Sequence, residues 1–191
     1  MSDELTAPAL ALLEVASLAR GVAVADAVMK RATVELLECG AVSPGKYLIL
    51  FAGGVAETDE SLRAGIAMAG DSLLDQLFLP FAHEQLLPAI RAGVTGLTQN
   101  GDAEESAGMV ELLSVSAALR SADAACKAAD VRLQMLQLAR GIGGKAWFIL
   151  RGELDSVEAS VAAATEAAGR GLLAGAEIIA RPHSALHGLA L

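Results

Sequence analysis

The chain carries one pattern twice, and this duplication limits its possible folds more than any other feature of the sequence. With a shift of 97 positions, Glu14 aligns with Glu111, Ser17 with Ser114, Asp26 with Asp123, Lys30 with Lys127 and Val34 with Val131. Further along the shift becomes 99: Gly45 aligns with Gly144, Lys46 with Lys145, Gly53 with Gly152, Ser61 with Ser160 and Ala69-Gly70 with Ala168-Gly169. The change from 97 to 99 places a two-residue insertion between Val131 and Gly144 of the second copy, which predicts a longer loop there.

Each copy reads as β-α-β-β-α-β. In the first, Leu12 to Ser17 is mostly apolar, and a helix follows with Val22, Ala25, Val28, Met29 and Ala32 on one side. Val34 to Leu37 and Tyr47 to Phe51 are β-rich runs, split by Gly40 and by Ser43-Pro44-Gly45. The second helix has an apolar stripe of Leu62, Ile66 and Ala69, matched by Val157, Val161, Ala164 and Ala168, and Gly70 and Gly169 suit its end. Leu74 to Leu79 and Leu172 to Ala180 supply the last strands. This order is that of an α+β, ferredoxin-like sandwich with helices on one face of an antiparallel sheet. The domains are expected at 1–91 and 108–191, joined by a linker over 92–107 that contains Gly93, Gly96, Asn100, Gly101 and Asp102.

Composition narrows the function. The chain is 54% hydrophobic with 3% aromatic residues, so much apolar surface must be covered by something. A membrane span is not the answer, because charge-free stretches such as that between Lys46 and Glu57 fall far short of the ~20 residues a spanning helix needs. Asp3 and Glu4 sit where a signal peptide would be basic and then apolar, so a cytoplasmic location is expected. A net charge of −9 without a basic cluster argues against nucleic acid, and the few aromatics remove a base-stacking platform.

Sites of chemistry are sparse. Gly40 to Lys46 has the spacing of a phosphate-binding loop, but Tyr47 stands where Ser or Thr should be, and a strand follows instead of a helix. His183 and His187 are four apart without a cysteine or carboxylate at ligand spacing, so no metal site is expected. Cys39 and Cys126 lie in no redox or catalytic motif and read as reduced thiols. The sequence shows no nucleophile with its base, and no enzyme activity is expected. Asp26 with Lys30 and Asp123 with Lys127 are acid-before-base pairs at helical spacing, worth a few tenths of a kcal/mol each on a solvated helix.

Taken in order and twice over, several segments resemble the bacterial microcompartment domain: Leu13-Glu14-Val15 to Ser17, Ala25-Asp26-Ala27 to Lys30, Ser43-Pro44-Gly45-Lys46, Gly141-Ile142-Gly143-Gly144-Lys145, Gly152-Glu153-Leu154 and Arg181-Pro182-His183. The resemblance implies a structural shell protein of the tandem-domain, unpermuted class. Three chains would form a pseudohexameric tile, a homotrimer with a small central pore, in company with hexameric tiles and pentameric vertex proteins. Its location would be the shell of a microcompartment in the cytoplasm. By the same resemblance Val42, Ser43, Pro44 and Gly45 of the first copy, with Gly141, Ile142, Gly143 and Gly144 of the second, line a pore that passes small polar or anionic metabolites. Lys30, Lys127, Arg181 and His183 would sit on the tile edge. Leu79 to His83 lacks the arginine, so alternate edges should differ. Some relatives hold an iron–sulfur cluster on the axis through a cysteine in the first turn, which would make the tile a redox conduit. Ser43 stands at that position here, so no cofactor is expected. A small-molecule-binding regulator is a further alternative, since repeats of this fold also bind effectors.

Overall fold

The computed structural model describes residues 8–93 and 105–183, in two compact units, one reaching to Glu84 and the other starting at Gln85. The first unit runs β1 (Ala9–Val15), α1 (Leu18–Arg31), β2 (Glu35–Val42), β3 (Lys46–Gly53), α2 (Val55–Ala69) and β4 (Leu73–Leu79). Its four strands pair antiparallel in the order β2-β3-β1-β4. The chain reversal after α2 uses Gly70, whose φ of 53° is left-handed and whose N–H donates to the Ile66 carbonyl. The core lies between sheet and helices: Ala11, Leu13 and Val15 of β1 and Ile49 and Phe51 of β3 pack against Val24 and Val28 of α1 and Leu62 and Ala69 of α2. Alternate strand residues point to one face, which is why the odd-numbered positions of both central strands meet the helices.

The second unit opens with a short helix, α3 (Leu86–Ala92), and then repeats the order: β5 (Ser106–Leu112), α4 (Val115–Ala128), β6 (Arg132–Leu138), β7 (Ala146–Gly152), α5 (Leu154–Ala167) and β8 (Leu173–Ile179). The strand order is again β6-β7-β5-β8, antiparallel throughout. The side-chain amide of Gln85, just ahead of α3, donates to the Val131 carbonyl at 2.8 Å and accepts from the Leu133 N–H at 2.7 Å, tying α3 to the start of β6.

Paired residues of the repeat do paired work. Ser17 and Ser114 are the N-caps of α1 and α4, each hydroxyl accepting a backbone N–H three residues on at 3.2 Å. Gly53 and Gly152 each bring the end of a strand against a backbone carbonyl, that of Thr33 or Asp130, where a Cβ would sit 3.4 or 3.3 Å away.

The structure departs from the sequence reading in four places. Strand β1 begins at Ala9 and not at Leu12. Gly40, read as a break, lies inside β2 opposite Leu48. The inward face of α1 is Gly21, Val24 and Val28, while Val22 and Met29 are exposed. Residues 86–92 form a helix that belongs with the second compact unit, and Ser106 and Ala107, read as the end of the linker, already belong to β5. Residues 94–104 of that linker and His187 lie outside the described residues.

Candidate functional site

The residues singled out for a pore occupy the two β-hairpin turns that the repeat places in register, except Val42, which ends β2. In the first unit β2 and β3 are joined by Ser43-Pro44-Gly45 alone; the Ser43–Pro44 peptide is cis and Gly45 has a φ of 69°. Ser43, Pro44 and Gly45 are all exposed, whereas Val42 is buried at 7% exposure. Val42 therefore supports the turn from within, and the side chains offered outward begin at Ser43.

In the second unit β6 and β7 are joined by residues 139–145, so the insertion inferred from the change of shift falls wholly in this turn. Four residues there adopt left-handed backbone: Ala139, Gly141, Gly143 and Gly144. A side chain at Gly141 or Gly143 would meet nothing within 4 Å, so glycine is required there by φ and not by space. The turn closes through the Ala139 N–H donating to the Lys145 carbonyl at 2.9 Å, and the Gln137 amide donates to the Arg140 carbonyl at 3.0 Å. Gly141 and Gly143 are exposed, Ile142 is half-buried and Gly144 is buried. Sequence reasoning passed over Arg140, an exposed cation next to Gly141 that stands, on the shift of 97, where the first turn has the uncharged Ser43.

Each turn is anchored on its far side by a repeated ion pair. Lys46, the first residue of β3, donates to Glu14 at 2.8 Å, and Lys145, directly before β7, donates to Glu111 at 2.9 Å. The two pairs differ in depth: the Glu14 side chain is 2% exposed and that of Glu111 43%. A buried carboxylate depends on its partner far more than a solvated one does.

An iron–sulfur cluster held by the first turn would need a thiolate there. Ser43 offers a hydroxyl, a poor iron ligand, where a thiolate is needed. Cys39 lies four residues back along β2, about 13 Å at ~3.3 Å per residue, and its Sγ sits 3.5 Å from the Tyr47 hydroxyl. That contact, with burial, raises the Tyr47 pKa above its ordinary value. Among the described residues no group of three His, Cys, Asp or Glu side chains is arranged to hold a metal ion.

The residues singled out for an edge are on the surface. Lys30 and Lys127 lie in the last turns of their helices and pair with Asp26 and Asp123 at 2.7 Å, completing the i, i+4 pattern in both copies. Arg181 and His183 are exposed beyond β8, with Arg181 in left-handed backbone and Pro182 buried between them. In the first unit Phe81, 65% exposed, follows β4 where Arg181 follows β8. Among the described residues no helix is long and apolar enough to cross a membrane.

Comparison with known proteins shows the family and the fold. The BMC domain profile matches residues 9–82 and 106–182, one match per sheet, and the chain belongs to that family. It is 38% identical over 93% of its length to the bacterial microcompartment shell protein PduT of Citrobacter freundii, of which it covers 95%. It is 44% identical over 79 residues to the carboxysome shell protein CsoS1A of Hydrogenovibrio crunogenus, covering 40% of this chain and 79% of that one, as expected where a single domain meets a doubled one. Among solved structures, a microcompartment protein from Desulfitobacterium hafniense superposes with a TM-score of 0.85 at 41% identity, over 94% of this chain and 98% of that one. The fused permuted hexameric shell protein of the RMM microcompartment shares the fold, with a TM-score of 0.61 at 22% identity over 84% and 83% of the two chains.

Proposed function

We infer that this chain is a structural shell protein of a bacterial microcompartment, a non-enzymatic tile in which three chains close into a pseudohexamer around a small pore. The observation that carries the reading is the duplication combined with unequal exposure. The copies have the same elements, yet α1 leaves Leu18, Val22 and Met29 exposed, whereas ten residues of α4 are buried. Conversely, β8 is exposed at all its residues but Ala176, Leu173, Ile178 and Ile179 among them, whereas β4 is mostly half-buried and exposes one large apolar side chain, Leu74. Each chain thus offers one apolar surface on its first copy and a different one on its second. Surfaces that differ at the two ends associate head to tail, and such contacts close into a ring when the rotation permits. Six domains from three chains complete the ring that relatives with one domain would need six chains to build.

Such a ring places three copies of each turn at its centre. The Ser43 hydroxyl and the Arg140 guanidinium then give a polar, cationic lining, which favours small polar or anionic metabolites; selectivity follows from diameter and from the groups that line the hole. No cofactor is assigned to the pore. The edge cations Lys30, Lys127 and Arg181 would meet neighbouring tiles, other shell proteins included, and the replacement of Arg181 by Phe81 makes successive edges unlike. Exchange of Ser43 for Trp should slow passage of a small anion through reconstituted shells, while unchanged permeation would remove these turns from the pore. A discrete soluble oligomer that never forms sheets, alone or with partner shell proteins, would favour the regulator reading instead.

A further inference from the structure

The second unit contains an open cleft of about 920 Å³ away from the turns, between the start of β6, the end of β7 and the end of β8. Arg132, Arg151 and Arg181 line it together with Glu105, Asp130 and Glu153. The formal charges balance, but their depths do not. Asp130, Glu153 and Arg181 are exposed at the rim, whereas Arg151 is only 4% exposed.

Below the rim, two guanidinium groups share one carboxylate. Arg132 takes both oxygens of Glu105, with Nη2 to Oε2 at 2.7 Å and Nη1 to Oε1 at 3.3 Å. The Arg151 Nε is 3.9 Å from the same carboxylate, within ion-pair range and beyond hydrogen-bond range. The Arg151 Nε and Nη1 and the Arg132 Nε are buried with no hydrogen-bond partner. Burial pushes the Arg151 pKa down, Glu105 opposes this and Arg132 adds to it; arginine starts so high that the group stays a cation at neutral pH. Unpaired buried N–H groups of a cation are costly, and an incoming acceptor relieves that cost.

A second feature points the same way. Gly152, Glu153 and Leu154, the start of the fourteen-residue helix α5, line the same cleft, and Glu153 at the N-cap makes no side-chain capping bond. The first turn of a helix presents free N–H groups and the positive end of its dipole. The first copy serves as an internal control. In the register of the repeat Pro8, Glu35 and Ala52 stand for Glu105, Arg132 and Arg151, so the cation pair belongs to the second copy alone.

We propose that this cleft is a binding site for one oxyanion per chain, a carboxylate or phosphate group held by Arg151 and Arg132 at the N-terminus of α5. Guanidinium forks match the planar oxygens of such groups. In a three-chain tile the site occurs three times, off the axis, and would respond to the anion pool independently of passage through the pore.

The test is calorimetric titration of the full-length chain, at low chloride, with inorganic phosphate and separately with acetate. The expected result is saturable binding of at least one of them at one site per chain, weakened about tenfold or more in Arg151→Gln, the loss set by a charge-assisted hydrogen bond. Glu105→Gln removes the competing carboxylate and should tighten binding. This variant carries the test if Arg151→Gln does not fold. Absence of saturable binding for both anions, an unchanged affinity in a folded Arg151→Gln, or no tightening in Glu105→Gln would overturn the proposal.

Discussion

At the scale of single residues, the repeat turns into chemistry wherever both partners of a contact are duplicated. Glu14 with Lys46 and Glu111 with Lys145 are legible as matched letters in the sequence, but the difference in depth between the pairs belongs to the fold. Lys46→Met leaves Glu14 buried without a partner and should cost about 2 kcal/mol of stability, whereas Lys145→Met at the more solvated pair should cost less than about 1 kcal/mol. Denaturant midpoints of the two variants check the contrast. Cys126 offers a pH prediction. Burial, with Asp123 adding and Lys127 opposing, pushes its thiol up to about 12 from an ordinary value of 9.0. A raised folded-state pKa favours the protonated form, so this contribution to stability is complete below pH about 9 and is lost as the pH rises toward 12. The thiol should resist iodoacetamide at pH 8 in the folded chain and react once it is unfolded, as mass spectrometry would report.

At the scale of elements, the copies reach the same sandwich by exchanging volume. Tyr47 packs on α1 at Gly21, where any Cβ would collide with the ring; in the second copy Ala118 and Ala146 occupy the matching positions. Likewise Gly65 of α2 lies against Leu13, Val28 and Val24, whereas Ala164 of α5 has Val110, Ala125 and Ser121 at the corresponding places. Gly21→Ala should therefore lower the melting temperature through an overpacking cost of about 1–3 kcal/mol, while Ala118→Gly should be destabilising only by the ~1 kcal/mol of helix propensity. Both follow from thermal unfolding monitored by circular dichroism. These exchanges also explain what the sequence conceals. Apolar counting put Val22 and Met29 on the inner face of α1, because the true inner face contains a glycine whose partner is a distant tyrosine. Helix α3 escaped notice because its seven residues include Pro88 and are too short to show a period. By contrast, the order of elements, the closing glycines Gly70 and Gly169 and the site of the insertion were readable, since each rests on local spacing that recurs 97 or 99 positions later. The oxyanion cleft was not readable, as its cations come from different strands and meet only across the sheet.

At the scale of the whole molecule, a doubled domain lets a ring carry two kinds of turn and two kinds of edge, something a ring of identical domains cannot do. The short turn offers Ser43, and the long one offers Arg140 and left-handed glycines; the segment after β8 offers Arg181, and that after β4 offers Phe81. In the proposed tile the apolar surfaces on α1 and β8, exposed in one chain, would be covered by a neighbour. Placing a charge on that surface, as in Val22→Asp, should favour dissociation while leaving the far-ultraviolet spectrum of the domains unchanged. The most direct measurement is the native mass of the purified chain by light scattering after size exclusion. Closure of the ring predicts three times the 19.4 kDa of one chain, falling toward a single chain in Val22→Asp. A wild-type mass of 19.4 kDa at micromolar concentration would contradict it.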